Sequence, residues 1–333
     1  MSDAHPIAVA PAAQSLEQFA ADVRHYLALT PRQLPSKYLY DPLGSALFDA
    51  ITQLPWYSLT RAEAGLLQAH AADIFDAADR VTTILELGPG SGDKLLTLIH
   101  SGGAQREPLD VRLIDVSPSA LARATRTLGG LPGIRVAAYE DRYEAGLERF
   151  RTERRRPGRA LVMFLGSNIG NFDPPGREAF LRCVRAALLP SDVLLLGTDL
   201  VKGERDLVLA YEDPLGVTAA FNRNLLVRIN RELQGDFNVG AFVHRAVWNS
   251  DHSRVEMHLV SRRPQHVRIP AAEFDFRMAD GEIIWTESSY KYLAPDVVAA
   301  LERHGFRVLT QWMDARESFA LTLAQAHTDP PSV

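Results

Sequence analysis

Ile84-Leu85-Glu86-Leu87-Gly88-Pro89-Gly90-Ser91-Gly92-Asp93-Lys94 decides the fold: an apolar run of strand character enters a turn with glycine at every second position and leaves as a helix. Glycine lets a ligand lie against bare backbone, and in a parallel α/β sheet such a turn stands at the carboxyl end of the first strand. Two cofactor classes compete for it. A dinucleotide site has the spacing G-x-G-x-x-G and sets a pyrophosphate on the helix N-terminus. Here the third glycine comes one residue early, and Asp93 puts a carboxylate at the helix start. That charge repels pyrophosphate but tolerates a cationic, phosphate-free nucleoside, so the turn favours S-adenosylmethionine, laid over Gly88 and Gly90.

Outward from the turn, short apolar runs alternate with helical stretches. Thr83 to Leu87, Val111 to Asp115, Ile134 to Ala138, Ala160 to Leu165 and Val193 to Asp199 read as five buried strands of a doubly wound sheet. Asp115, ending the second strand, offers a carboxylate to both hydroxyls of a ribose. Alone it reads as a helix cap and the glycine loop as a tight turn; together, in order on successive strands, they read as a nucleoside site. The third strand leads into Tyr139-Glu140-Asp141-Arg142-Tyr143, where Tyr143 is either an aromatic face for adenine or a half-buried core residue. The fourth ends in Gly166-Ser167-Asn168-Ile169-Gly170-Asn171. Reactive groups of open α/β sheets collect at this edge, and Asn171 has both donors and acceptors for an ammonium or a carboxylate. Taken singly, these residues also simply build turns.

Flanking segments differ in character. From Leu16 to Leu67 the pattern is helical, punctuated by Thr30-Pro31, Asp41-Pro42 and a capping box of Thr60 with Glu63. After Asp199 an amphipathic helix runs through Leu233, followed by antiparallel strands at Val255 to Val260, Val267 to Ile269 and Glu282 to Thr286. A last helix is framed by Pro295 and Gly305, and strands at Phe306 to Trp312 and Ser318 to Leu323 rejoin the main sheet. The fold class is therefore α/β, a Rossmann-like sheet with a second, smaller α+β domain.

Composition bounds the partners. A chain of 333 residues exceeds one ordinary core. A formal net charge of -5 gives no electrostatic basis for binding nucleic acid or an anionic membrane, which leaves a small molecule as the partner of an expected monomer. Cys183 is the single cysteine, in an apolar helical pattern that suggests a buried thiol in a reducing, cytoplasmic setting. No pair of His or Cys has ligand spacing on one element, so no metal is expected. Residues 1–14 lack the basic start and apolar run of a secretory signal and read as a mobile tail, and no apolar stretch approaches membrane-spanning length. The basic run Arg151 to Arg159 reads as solvated surface.

More specific marks lie outside the glycine loop. They are Lys37-Tyr38-Leu39-Tyr40-Asp41 with Gly44-Ser45, Leu54-Pro55-Trp56-Tyr57 with Thr60-Arg61-Ala62-Glu63, and Gly166 to Asn171. Ala210-Tyr211, Gly216-Val217-Thr218-Ala219, Phe221-Asn222-Arg223-Asn224, Glu256-Met257 and Thr286-Glu287-Ser288-Ser289 complete the set. Through these residues the chain, from about Leu34 to Leu323, closely resembles the L-histidine Nα-methyltransferases of ergothioneine biosynthesis, which convert histidine to its trimethylammonium betaine, hercynine. The resemblance implies a class I methyltransferase sheet in which Gly88, Lys94 and Asp115 contact the donor. It implies that Tyr40, Tyr57, Gly166, Asn171, Tyr211, Met257, Glu287 and Ser289 line the amino-acid pocket. It also implies a discontinuous substrate domain, residues 15–61 plus 202–290, closing over a methyltransferase domain of residues 62–201 plus 291–326. In the actinobacterial members an acidic residue precedes the aromatic near adenine; here Arg142 precedes Tyr143, with Asp141 next to it and the adenine contact open among Glu140, Asp141 and Arg142.

These residues suit the implied chemistry. Imidazole presents two nitrogens, and Glu287 and Ser289 alternate on one strand and so face one side. Tyr211 and Asn171 would anchor the carboxylate, Met257 would shape the pocket, and Tyr40 or Tyr57, or water, would take the amine proton. Methyl transfer is an in-line displacement at a sulfonium, where positioning dominates. Repeated transfer requires room for a growing amine beside aromatic faces. Two alternatives remain: methylation of another amino acid such as a tryptophan derivative, and a catalytically silent S-adenosylmethionine-binding protein.

Overall fold

The computed structural model describes residues 16–102, 108–154, 158–316 and 318–327. The expected tail, residues 1–14, and part of the basic run lie outside the described residues.

The chain opens with α1 (Leu16–Leu27), the two-residue strand β1 (Arg32–Gln33), α2 (Pro42–Thr52) and α3 (Leu59–Ala78). Asp41 caps α2 as its Asp-Pro signal predicts, its carboxylate accepting from the Gly44 N–H at 2.7 Å. The capping box at Thr60 does not form. Ser58 is the cap residue of α3, without a side-chain bond, and Thr60 already lies inside the helix. Glu63 is fully buried and spends its carboxylate elsewhere.

Five strands alternate with helices as expected: β2 (Val81–Leu87), α4 (Asp93–Ser101), β3 (Leu109–Asp115), α5 (Pro118–Leu128), β4 (Ile134–Glu140), α6 (Tyr143–Glu153), β5 (Arg159–Phe164), α7 (Pro174–Ala187) and β6 (Val193–Asp199). They pair in parallel in the order β6-β5-β2-β3-β4. Every residue of β6 and five of the six of β5 are buried, as parallel strands covered on both faces must be. From β2 the chain winds one way through β3 and β4, then crosses back to β5 and β6. The sheet's switch point therefore falls between the carboxyl ends of β2 and β5, where such folds bind ligands. Cys183 sits half-buried on α7 rather than fully buried as expected, since its helix turns Phe180, Leu181 and Val184 inward instead.

The segment after β6 forms α8 (Glu204–Tyr211) and α9 (Val217–Leu233), two helices where periodicity predicts one. The break is local. Gly216 has φ 72°, and the Asp213 carboxylate accepts from the N–H groups of Val217 and Thr218, starting a fresh helix. Then come β7 (Phe242–Asn249), β8 (Arg254–Ser261), β9 (Gln265–Ile269), β10 (Phe274–Met278) and β11 (Ile283–Tyr290). A four-stranded sheet of order β1-β11-β8-β7 results, antiparallel except for β1 on β11, beside the antiparallel pair β9-β10. The patterns at 255–260, 267–269 and 282–286 mark β8, β9 and β11; β1, β7 and β10 were not foreseen. Finally α10 (Ala294–Arg303) leads to β12 (Phe306–Met313) and β13 (Phe319–Ala326), which extend the main sheet antiparallel beside β6, giving seven strands. No helix among the described residues is long and apolar enough to cross a membrane.

Candidate active site

The glycine turn follows β2 with Gly88, Gly90 and Gly92 at φ 72°, 57° and 83°, a region side chains other than glycine rarely enter. A Cβ on Gly88 would stand 2.9 Å from the Tyr143 hydroxyl and 3.0 Å from Asn168 Nδ2, and one on Gly92 would meet α5 at Ala124. Around Gly90 the space is open. Asp115, across β3, accepts from the Ser117 N–H at 2.8 Å, and burial raises its carboxyl to about 6. Asp141 turns its carboxylate onto the next backbone N–H, that of Arg142. The Tyr143 ring packs edge-on against Phe164 and Phe180, at 5.3 and 6.1 Å between centroids, so it belongs to the core and only its hydroxyl reaches the turn.

Two buried carboxyls, Glu86 and Glu63, stand near these turns in roles that the sequence pattern does not show. Glu86, within β2, is 1% exposed, has no hydrogen-bond partner on Oε2, and is pushed by burial to about 8. The visible signal was an acid inside an otherwise apolar strand. Glu63 accepts from the Gly166 N–H at 2.7 Å and pairs with Lys94 Nζ at 2.6 Å. The lysine expected at the donor therefore stands at the Gly166 turn, tied to α3, and a Cβ on Gly166 would lie 2.8 Å from its ammonium.

All eight residues expected around the amino acid line one pocket: Tyr40, Tyr57, Gly166, Asn171, Tyr211, Met257, Glu287 and Ser289. Asn168, which packs against Gly88, lines it too, so this cavity adjoins the glycine turn across the end of β5. Phe48, Phe221 and Thr218 were not singled out for the pocket and also line it. The rings form an edge-to-face cluster: Tyr40 lies 5.5 Å from both Phe48 and Phe221, and Tyr57 lies 6.3 Å from Tyr211. Met257 is 1% exposed and stands opposite Glu287 in the β8–β11 register.

Electrostatics sorts the roles. Burial holds the hydroxyls of Tyr40 and Tyr57 well above the usual tyrosine range, and neighbouring acids, Glu287 among them, push the same way. Neither is a phenolate near neutral pH, so each can bond to substrate but neither stands ready to take its proton. Burial raises Glu287 to about 7, against the pull of Lys291, so it is the pocket group that titrates near neutrality.

Below the pocket floor lies a third missed residue, Lys291, whose side chain is fully buried. Its ammonium pairs with Asp199 at 2.8 Å and donates to the Tyr211 hydroxyl at 2.8 Å and to Ser289 Oγ at 2.9 Å. Tyr211 in turn donates to Ser289 at 2.8 Å. Among the described residues no group of three or more His, Cys, Asp or Glu could hold a metal ion.

The pattern of a family described as histidine-specific methyltransferase, SAM-dependent, matches residues 19–326. A histidine N-alpha-methyltransferase of Mycolicibacterium smegmatis is 43% identical over 328 residues, 97% of this chain and 99% of the relative. That of Mycobacterium tuberculosis is 43% identical over 308 residues, 91% of this chain and 93% of the relative. A 4-dimethylallyltryptophan N-methyltransferase of Penicillium roqueforti is 24% identical over 302 residues, 86% of this chain and 87% of the relative.

Proposed function

The chain belongs to the S-adenosylmethionine-dependent, histidine-specific methyltransferases, and from that premise we propose that it methylates the α-amino group of L-histidine three times, giving hercynine for ergothioneine biosynthesis. One observation carries the reading. Glu287 and Ser289, a carboxylate and a hydroxyl two residues apart on β11, face into an aromatic cavity that adjoins the glycine turn. Two polar groups on one wall match the two nitrogens of an imidazole, and a ring lacking them leaves buried partners unpaired at about 1 to 3 kcal/mol each.

The turn fits a cationic, phosphate-free donor: Gly90 leaves room, and Asp93 puts a carboxylate in the first turn of the helix that follows. When bound, S-adenosylmethionine supplies an electrophilic methyl carbon on a positively charged sulfur that departs neutral. Gly88, Gly90 and Asp115 would hold its nucleoside, with Asp141, Tyr143 and Lys94 at the margins. Asn171 would hold the substrate carboxylate, Tyr211, whose hydroxyl hydrogen goes to Ser289, would wall the pocket with its ring, and Gly166 would set the approach of the amine from the end of β5. Tyr40 and Tyr57, as neutral hydroxyls, would orient the amine while its proton passes to water. The aromatic cluster would tolerate the growing methylammonium, which a purely polar wall would not. Residues 15–61 and 202–290 would act as the substrate unit, closing on the donor unit formed by 62–201 and 291–326.

Mass spectrometry after incubation with S-adenosylmethionine and an equimolar pool of amino acids tests this reading. Histidine carrying one, two and then three methyl groups on its α-nitrogen is expected. Methyl groups on tryptophan instead would favour the tryptophan reading, and donor binding without product would favour a silent binding protein.

A further inference from the structure

Resting on that reading, we propose that Lys291 is a positioning residue that fixes the hydrogen-bond polarity of the pocket, making Ser289 a donor to the substrate ring and so selecting the neutral imidazole. The polarity follows from a count of hydrogens. An ammonium has three to give and accepts none. Those of Lys291 go to Asp199, the Tyr211 hydroxyl and Ser289 Oγ, all within 2.9 Å. Both hydroxyl oxygens therefore accept from the lysine, and the hydroxyl hydrogens must go elsewhere. A phenol is a stronger acid than an alcohol, and here Tyr211 donates to Ser289. Ser289 Oγ then accepts twice, which uses both its lone pairs. What it has left for the cavity is its own hydrogen.

Its neighbour on the same strand face has the opposite polarity, because Glu287, once ionised, only accepts. A donor at Ser289 and an acceptor at Glu287 together match a ring with one bare nitrogen and one N–H. An imidazolium would set its second N–H against the Ser289 hydrogen. Without Lys291, Ser289 regains a lone pair, and the buried Glu287 would draw in the charged ring instead. The lysine thus acts through Ser289 without lining the pocket itself. Its removal leaves Asp199 paired, since Lys202 Nζ lies 2.6 Å from the other carboxylate oxygen.

Nitrogen NMR of ring-labelled histidine, bound with S-adenosylhomocysteine to the unaltered protein at pH 7.5, reads the polarity directly. One protonated and one bare ring nitrogen are expected; two protonated nitrogens would overturn the proposal whatever any variant does. In Lys291→Met the histidine KM should rise by about tenfold or more while calorimetric affinity for S-adenosylhomocysteine holds, and the single neutral form of the bound ring should be lost. The same change on a Ser289→Ala background should add little, because both act through one hydroxyl. Lys291→Met with an unchanged KM and spectrum, or additive effects of the two substitutions, would overturn it. If the unaltered protein methylates histidine normally and these results fail, Lys291 lacks this role and the enzymatic reading stands. If it neither binds nor methylates histidine, both fall.

Discussion

Glu287 and Glu86 are carboxyls placed where water is scarce, and burial pushes both upward, to about 7 and about 8. They predict different things. Glu287 is a charged, acceptor-only partner for the substrate ring when ionised and carries a competing hydrogen once protonated, so the histidine KM should climb as pH falls through about 7; a flat KM between pH 6 and 8 would remove the contact. Glu287→Ala should raise that KM by roughly tenfold at pH 8, the loss of one buried charged hydrogen bond. Glu86 bears on stability. Its folded value exceeds its unfolded one, so the stability it confers is full below the ordinary glutamate range and is lost as pH rises through about 8. Glu86→Gln should therefore leave denaturant stability nearly unchanged at pH 5 and raise it at pH 9, by on the order of 3 kcal/mol. An equal effect at both pH values would mean that Glu86 is not neutral in the fold. At this scale the sequence marked Glu287 and Ser289 but hid Lys291 and the pairing of Glu63 with Lys94, because a buried ion pair joins residues far apart in the chain and leaves no local pattern.

Among elements, the turn after β5 shows how neighbours set a site. Gly166 is held by Glu63 of α3, and Glu63 has room only because β6 carries Gly197, where a Cβ would fall 2.2 Å from Glu63 Oε1. Gly197→Ala should displace that carboxylate, cost about 1 to 3 kcal/mol of stability, and lower kcat/KM for histidine by loosening the turn. Gly65→Ala on α3, where a new Cβ meets nothing within 4 Å, should instead stabilise by about 0.5 to 1 kcal/mol with kinetics unchanged. Similar losses from both substitutions would show that the Glu63 link does not matter. Sequence signals handled the elements unevenly. Asp41-Pro42 predicted its cap because that motif is complete within four residues. Thr60 with Glu63 had the same local form, but the Lys94 ammonium and the Gly166 N–H outcompete a helix end for the carboxylate. Strand β11 reads only to Thr286 because Glu287 and Ser289 beyond it are polar and face the cavity rather than a core.

In the whole molecule, the parallel sheet was legible because buried strands are continuous apolar runs and the glycine turn marks the first. The second sheet was read only in part. Strands β7 and β10 show little more than alternation, and β1, two residues long, gets its pairing from β11, some 250 residues on. Cavity walls come from segments far apart in the chain: Tyr40, Tyr211 and Glu287 stand with Gly166 and Asn171, which follow β5 beside the glycine turn. Histidine and S-adenosylhomocysteine should therefore raise Tm together by more than the sum of their separate shifts; strict additivity would mean that the sites do not share a wall. The most direct measurement is a crystal structure with histidine and S-adenosylhomocysteine bound. The ring should lie between Glu287 and Ser289, with the α-nitrogen beside Asn171 facing the sulfur over Gly88 to Gly92. Histidine bound elsewhere, or an α-nitrogen turned away from the sulfur, would contradict the account.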